Sequence, residues 1–385
     1  MDTVAVSRRT LMTSAAAALG GALLEPTFGR SVAEARLSRG MPADMIQLNA
    51  NESPYGPSAA AREAMTRAQA IAARYPGHLE EELRITLATL HGVAPEQVAL
   101  GCGSGEILRM SAAAFLGPGR TLVAAEPTFE AVLRYAGVTS AETITVPLDA
   151  AFRHDLPRMA AACDTRTGLV YVCNPNNPTG TVITGAELAS FLKLVPPGAT
   201  VLLDEAYHHF VEHPGYRSGF ELLAGFPNLV VVRTFSKIHG LAGMRLGYAV
   251  GASGRIAALD RHRLTNNANA AVLAAALATI GETGHVARLK QRMNDTRRSL
   301  VAALERDGRR VIPSEANFVM FETGRDVSPL IGAFRERKIL VGRKFPSMPT
   351  WLRVSVGTPK ETAAFLAALR EILPPSGQAK PTANG

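Results

Sequence analysis

Two short runs, Leu169-Val-Tyr-Val-Cys173 and Leu229-Val-Val-Val-Arg233, are apolar almost throughout instead of alternating with polar residues. A strand with one wet face alternates; a strand covered on both faces does not. Further short runs at 98–100, 121–125, 143–146, 200–204 and 246–250 are separated by helical patterns between about residues 70 and 250. This predicts an α/β fold with a mostly parallel sheet covered by helices on both sides. Beyond residue 265 the pattern changes to an Ala-rich helix (268–280) and a charged helix (284–306). Two strands follow, Asn317 to Glu322 and Leu352 to Val356, with a helix between them and another after. These elements predict a smaller α+β unit. The expected organisation is an N-terminal arm over 36–70, a large domain over 71–267, a small C-terminal domain over 268–374 and a disordered tail over 375–385.

The formal charge of the 385-residue chain is +8. Nucleic-acid binding would require a basic stripe with aromatic platforms, whereas the arginines are scattered. The densest cluster, Arg288 to Arg298, has helical spacing and is expected to form a solvated helix face, so no nucleic-acid partner is expected. Cys102, Cys163 and Cys173 are too few for a disulfide framework, and no ligand spacing suggests a metal. At the N-terminus, Ser7-Arg8-Arg9 precedes a weakly apolar run, Leu11 to Leu24, and a small-x-small site at Ala33-Glu34-Ala35. That layout resembles a twin-arginine export signal over residues 1–35. It predicts a periplasmic protein, or a cytoplasmic one if the signal is not functional. The run is shorter than the roughly 20 residues that span a bilayer, so no stable membrane anchor is expected.

Lys237 carries the chemistry. It lies in Thr234-Phe-Ser-Lys237, eight residues before Arg245, and a lysine amine can hold an aldehyde cofactor as a Schiff base. Gly101-Cys-Gly103-Ser104-Gly105-Glu106 follows a strand and opens a helix, an arrangement that offers unpaired N–H groups to a phosphate. Alone it is equally half of a dinucleotide fingerprint, although Glu106 stands where the third glycine belongs. Asn177-Pro-Thr-Gly180 reads either as a plain turn or as a means of bringing Asn177 to a cofactor oxygen. Asp204 ends an apolar strand. A carboxylate there needs a cation, such as a protonated pyridine nitrogen, or else caps the next helix. His208 and His209 are expected to serve local packing or the rim of the pocket, and Trp351 the core.

Together with Leu48-Asn-Ala-Asn-Glu52, Pro54-Tyr-Gly-Pro57, Arg74-Tyr-Pro76, Pro127-Thr-Phe129, Asp204-Glu-Ala-Tyr207 and Leu241-Ala-Gly-Met-Arg245, these motifs resemble fold-type I aminotransferases, and within them the histidinol-phosphate aminotransferase subgroup. The resemblance runs from about residue 45 to 370. It implies pyridoxal 5'-phosphate as cofactor, held covalently by Lys237, which would also move the proton between substrate Cα and cofactor C4′. Asp204 would pair with the ring nitrogen, Asn177 and Tyr207 would hold the phenolic oxygen, and Phe129 would stack on the ring. Gly103, Ser104, Gly105, Thr234, Ser236 and Arg245 would surround the phosphate. Tyr75 would reach the cofactor phosphate of a neighbouring subunit, implying a homodimer with shared sites. Arg353 and Arg343 would hold substrate anions, and Asn51 and Tyr55 would complete the substrate side. The implied reaction is ping-pong transfer of an amino group from a small-molecule donor to an oxo acid or phosphorylated ketone.

Gly105 stands where relatives carry an acid, and 264–270 lacks their Pro-Tyr pair. Residues 36–46 contain no aromatic, and an export signal does not suit histidine biosynthesis. These departures bear on the substrate, not the cofactor. The alternatives are a racemase or lyase on the same cofactor, a Rossmann-type dehydrogenase, and a cofactor-retaining binding module without activity.

Overall fold

The computed structural model describes residues 44–375. The export signal predicted over 1–35, and the tail beyond 375, lie outside the described residues. The strands in chain order are β1 (Ile46–Leu48), β2 (Val98–Gly101), β3 (Thr121–Glu126), β4 (Glu142–Pro147), β5 (Thr167–Cys173), β6 (Thr200–Asp204), β7 (Leu229–Thr234), β8 (Gly247–Gly251), β9 (Val311–Ile312), β10 (Phe318–Glu322), β11 (Ile339–Val341) and β12 (Trp351–Ser355). All seven strands expected between 98 and 250 form, and they make one sheet in the order β2-β8-β7-β6-β5-β3-β4. Only β8 runs against its neighbours; the other pairings are parallel.

The continuous apolar runs are explained by burial on both sides. One set of alternate residues (Leu169, Tyr171, Cys173, Leu202, Val230, Val232) packs with Ile107, Leu108, Val132 and Ile256 from helices Ser104–Phe115, Ala131–Val138 and Ser253–Asp260. The other set (Val170, Val172, Val201, Leu203, Val231) packs with Met159, Leu188 and Phe191 from helices Leu156–Ala161 and Gly185–Leu194. Because β8 is antiparallel to both β2 and β7, strands β2, β5, β6 and β7 all end at the same sheet edge. Gly101, Cys173, Asp204 and Thr234 are thereby brought together. In an open α/β sheet this carboxyl edge is where ligands sit.

A second, antiparallel sheet has the order β12-β10-β9, and β1 pairs with β11 in parallel. Its apolar face packs Leu48, Leu300, Val319, Phe321, Val354 and Phe365 together. The short strands β1, β9 and β11 were not expected from the sequence; runs of two or three residues carry no period to read. Helix Ala270–Ile280 packs its Val272, Leu273 and Ala276 with Leu83, Leu100 and Ala61 beside β2. Ala61 comes from helix Ala59–Ala68, which Ser58 caps, so that part of the expected arm is a packed helix.

One expectation about the surface needs correction. Helix Thr283–Arg306 does not present its basic cluster solely to water. Arg297 is buried and donates to the Ala316 carbonyl (3.1 Å), Lys290 donates to the Val211 carbonyl (2.7 Å), and Arg292 lies over the Tyr55 ring (4.1 Å). Long basic side chains bury their stems while their heads satisfy carbonyls, which residue type alone does not reveal.

Candidate active site

A cavity of about 430 Å³ opens at the carboxyl edge of the large sheet. Its walls include Asn51, Ser104, Gly105, Phe129, Asn177, Asp204, Tyr207, Thr234, Ser236, Lys237, Arg245, Arg343 and Arg353. Thirteen candidates chosen on sequence pattern, separated by up to three hundred positions, therefore share one space.

At one end lies an anion cradle. Helix Ser104–Phe115 starts at the cavity wall, and Gly103, at its N-cap, offers no capping side chain. The first N–H groups of the helix are thus free for a ligand. Gly103 has φ +77°, a conformation that favours glycine, and a Cβ there would meet the Arg245 guanidinium, which would have to move aside. Arg245 donates to the Ala242 carbonyl (2.9 Å) and to Ser236 Oγ (3.4 Å), and among the described residues it pairs with no carboxylate. Thr234 Oγ1 donates to Ser236 Oγ (2.9 Å) and accepts from the Ser236 N–H (3.1 Å). A guanidinium, two hydroxyls and a helix N-terminus form a donor set suited to a phosphate.

Lys237 lies in the middle of the cavity. Its Nζ donates to the Ala50 carbonyl (3.2 Å) and lies 5.5 Å from the Tyr207 ring centroid. Burial, and then the Arg353 charge, bring its pKa down to about 8, so a nucleophilic amine is available near neutrality. Asp204, 2 % exposed, accepts from Tyr171 Oη (2.9 Å) and from the Ala206 N–H (3.1 Å). Burial raises its pKa to about 6 despite those hydrogen bonds and the Lys237 charge. No α-helix begins at Asp204, so the capping alternative does not apply. A buried carboxylate facing a cavity, with no cation among the described residues bonded to it, fits a protonated ring nitrogen.

At the far end, Arg353 on β12 is 8 % exposed. It donates to Asn177 Oδ1 (2.6 Å) and to the Asn49 carbonyl (2.8 Å), while its Nε is buried with no partner. Asn177 Nδ2 and Asn51 Nδ2 both donate to Tyr207 Oη, at 3.4 and 3.2 Å. Arg343, at the rim, pairs with Glu130 (2.7 Å), both half-exposed. Arg343 and Arg353 approach the same ring, Phe345, at 4.3 and 5.4 Å.

Three expected residues do not line this chain's cavity: Gly103, which lies beside it against Arg245, and two tyrosines that stand further apart. Tyr75 is 81 % exposed. Tyr55 does not line the wall; it packs beside Tyr207 and Phe318 under Arg292, with its hydroxyl buried and unpaired. The ring thus lies on the Tyr207 side of the site, in the neighbouring apolar cluster. The wall also contains residues that sequence reasoning did not assign to the site: Ala50, Glu52, Thr128, Cys173, Ala206 and Phe345. Most are neighbours of residues it did choose. Phe345 alone had no local signal, since a loop places it. His208 and His209 lie beside each other (Nε2 to Nε2 3.2 Å) outside the cavity, and no metal-ligating cluster occurs among the described residues.

The chain matches the aminotransferase class I and II family over residues 43–369. The chain belongs to the class I and II aminotransferases. One relative of this aminotransferase is a histidinol-phosphate aminotransferase from Moorella thermoacetica, 39 % identical over 90 % of this chain and 89 % of the relative. A crystal structure of a putative histidinol-phosphate aminotransferase from Erwinia carotovora atroseptica superposes with TM-score 0.83 at 31 % identity, covering 85 % of this chain and 96 % of that one. The fold is shared by a histidinol-phosphate aminotransferase from Sinorhizobium meliloti in complex with pyridoxal-5'-phosphate (TM-score 0.81, 24 % identity, 91 % and 98 % covered). The enzyme is a pyridoxal-phosphate-dependent aminotransferase of fold type I, and the Rossmann dehydrogenase reading falls away.

Its residues fit that cofactor. The Arg245 cradle would hold the phosphate, Asp204 the ring nitrogen, Asn177 and Tyr207 the phenolic oxygen, Phe129 the ring face and Lys237 the aldehyde. When bound, pyridoxal phosphate supplies an aldehyde carbon and an electron-withdrawing ring. Lys237 Nζ would accept and return a proton at the reacting carbon, Asp204 would hold a positive ring nitrogen in place, and Arg353 would orient the substrate by its anion.

Proposed function

We propose that this aminotransferase exchanges amino groups between an amino acid and a phosphorylated amine or ketone of the histidinol-phosphate type. The observation that carries this reading is the pair of guanidiniums on Phe345. Arg353 is a buried cation with no carboxylate partner among the described residues and an unused Nε, a costly arrangement unless a substrate anion completes it. Arg343 pairs with the half-exposed Glu130 and donates to the Lys344 carbonyl (3.0 Å) beside it in the chain, and surface pairs of this kind are weak, about 0–1 kcal/mol. A phosphate can therefore displace that partner. The names of relatives that are 39–40 % identical support the same substrate class.

The test compares histidinol phosphate, unphosphorylated histidinol and glutamate as amino donors. Arg343→Ala should lower kcat/KM about tenfold or more for the phosphorylated donor, in keeping with a lost charge-assisted contact, and leave glutamate nearly unchanged. Arg353→Ala should impair both. Equal turnover of histidinol and histidinol phosphate by the unaltered enzyme refutes the assignment.

A homodimer with shared sites is part of this proposal. Its support is Tyr75, a large aromatic side chain left in solvent by a single chain; sedimentation and a Tyr75→Ala variant test it. Twin-arginine export is likewise proposed, from the Arg8-Arg9 pair and the apolar run after it. An Arg8→Lys, Arg9→Lys variant retained in the cytoplasm to the same extent as the unaltered chain would overturn it.

A further inference from the structure

We propose that Tyr171 is a positioning residue for this site: its hydroxyl, fixed in β5, donates to Asp204 Oδ2 and holds that carboxylate ionised and aimed at the cofactor's ring nitrogen. The inference rests on the cofactor role of Asp204. Cys173 is the register partner of Asp204, so Tyr171, two residues earlier, is its diagonal neighbour on the same face of the sheet. Such diagonal pairs lie within reach of an aromatic side chain. The hydrogen bond is 2.9 Å, both groups are fully enclosed, and the Ala206 N–H occupies the other carboxylate oxygen at 3.1 Å.

Burial acts on the two partners in the same direction. It raises Asp204 towards the neutral form and pushes the Tyr171 phenol well above its ordinary range, with the Asp204 charge adding to the second effect. The tyrosine therefore remains a donor, and its proton favours the carboxylate over the acid. The other ionisable groups acting on Asp204 are Lys237 across the cavity, which favours ionisation, and Glu205, its chain neighbour, which opposes it. Cys173 and Tyr207 stand nearby, both held neutral by burial. Glu205 is already committed to Arg233 and Ser218. Among the described residues, Tyr171 is thus the one side-chain donor bonded to Asp204. It does not line the cavity, so it acts through Asp204 and not on the substrate.

The experiment removes the hydroxyl with Tyr171→Phe in the full-length enzyme. Pyridoxal phosphate is stripped, and its rebinding is measured across pH 5 to 9 by equilibrium titration. Loss of a hydrogen bond to a charged group predicts an affinity at neutral pH about tenfold or more weaker. The pH at which affinity falls off should also move upward, because more of Asp204 is protonated. The same substitution in an Asp204→Ala background should change nothing further, as a double-mutant cycle requires of a residue that acts through another. Unchanged affinity and pH dependence in Tyr171→Phe would overturn the proposal. So would an equal loss with and without Asp204, which would mark a packing effect. If Asp204→Ala alone binds the cofactor normally, the cofactor reading of the site fails instead, and this inference with it. Should Tyr171→Phe not fold, 3-fluorotyrosine placed at 171 provides a stronger donor in nearly the same volume. It must then move the fall-off to lower pH, and no movement refutes the role.

Discussion

Replacing Asp204 by asparagine should stabilise the cofactor-free protein at neutral pH while removing its hold on the cofactor. Burial moves the Asp204 pKa from 3.8 to about 6. At 1.36 kcal/mol per unit, a shift of about two units corresponds to about 3 kcal/mol lost when the group ionises in the folded state. The sign follows from proton counting. Between pH ~4 and ~6 the folded protein keeps a proton that the unfolded chain gives up, so stability declines as pH rises through that window. Above pH ~6 the whole cost is present; below pH ~4 it is absent. Asparagine does not ionise, its Oδ1 can still accept from the Ala206 N–H, and its volume is nearly the same. The gain should therefore be near zero at pH 4 and about 3 kcal/mol at pH 7.5. Urea unfolding of both cofactor-free proteins at the two pH values, compared at equal slope, measures it. An asparagine variant that is less stable at pH 7.5, or equally more stable at both, refutes the argument that a buried charge is kept for function at a cost in stability.

The same logic with opposite sign applies to Lys237. Its pKa near 8 means that the rate at which the cofactor-free enzyme takes up pyridoxal phosphate should rise with pH and level off above about 8; a rate still climbing at pH 10 would show that the ammonium is not depressed. Lys237→Ala should abolish transamination, measured as oxo-acid formation. Gly103→Ala should drive a methyl group into Arg245 and force an unfavourable φ, weakening cofactor affinity about tenfold or more for a strain of 1–3 kcal/mol; unchanged affinity would mean that the cradle does not depend on that close approach.

The sequence by itself determined the sheet and the chemistry of its edge. The buried strands are legible because a run such as 169–173 must hide both faces, and because its neighbours along the chain repeat the pattern. Lys237, Asp204, Asn177 and Arg245 are legible because polar residues with restricted chemistry stand at or just beyond the ends of β5, β6 and β7, or just before β8, in motifs of fixed spacing. The tertiary structure alone decided which distant segments complete the site. The reversal of β8 aligns the ends of β2, β5, β6 and β7. The arm carries Asn49 and Asn51 to Arg353 and Ser355, three hundred residues away, and a loop brings Phe345 beneath two arginines. Tyr171 was overlooked for the same reason. Local pattern reports that an aromatic side chain is buried, whereas the group its hydroxyl meets depends on strand register and on packing between elements, which no period in the sequence encodes.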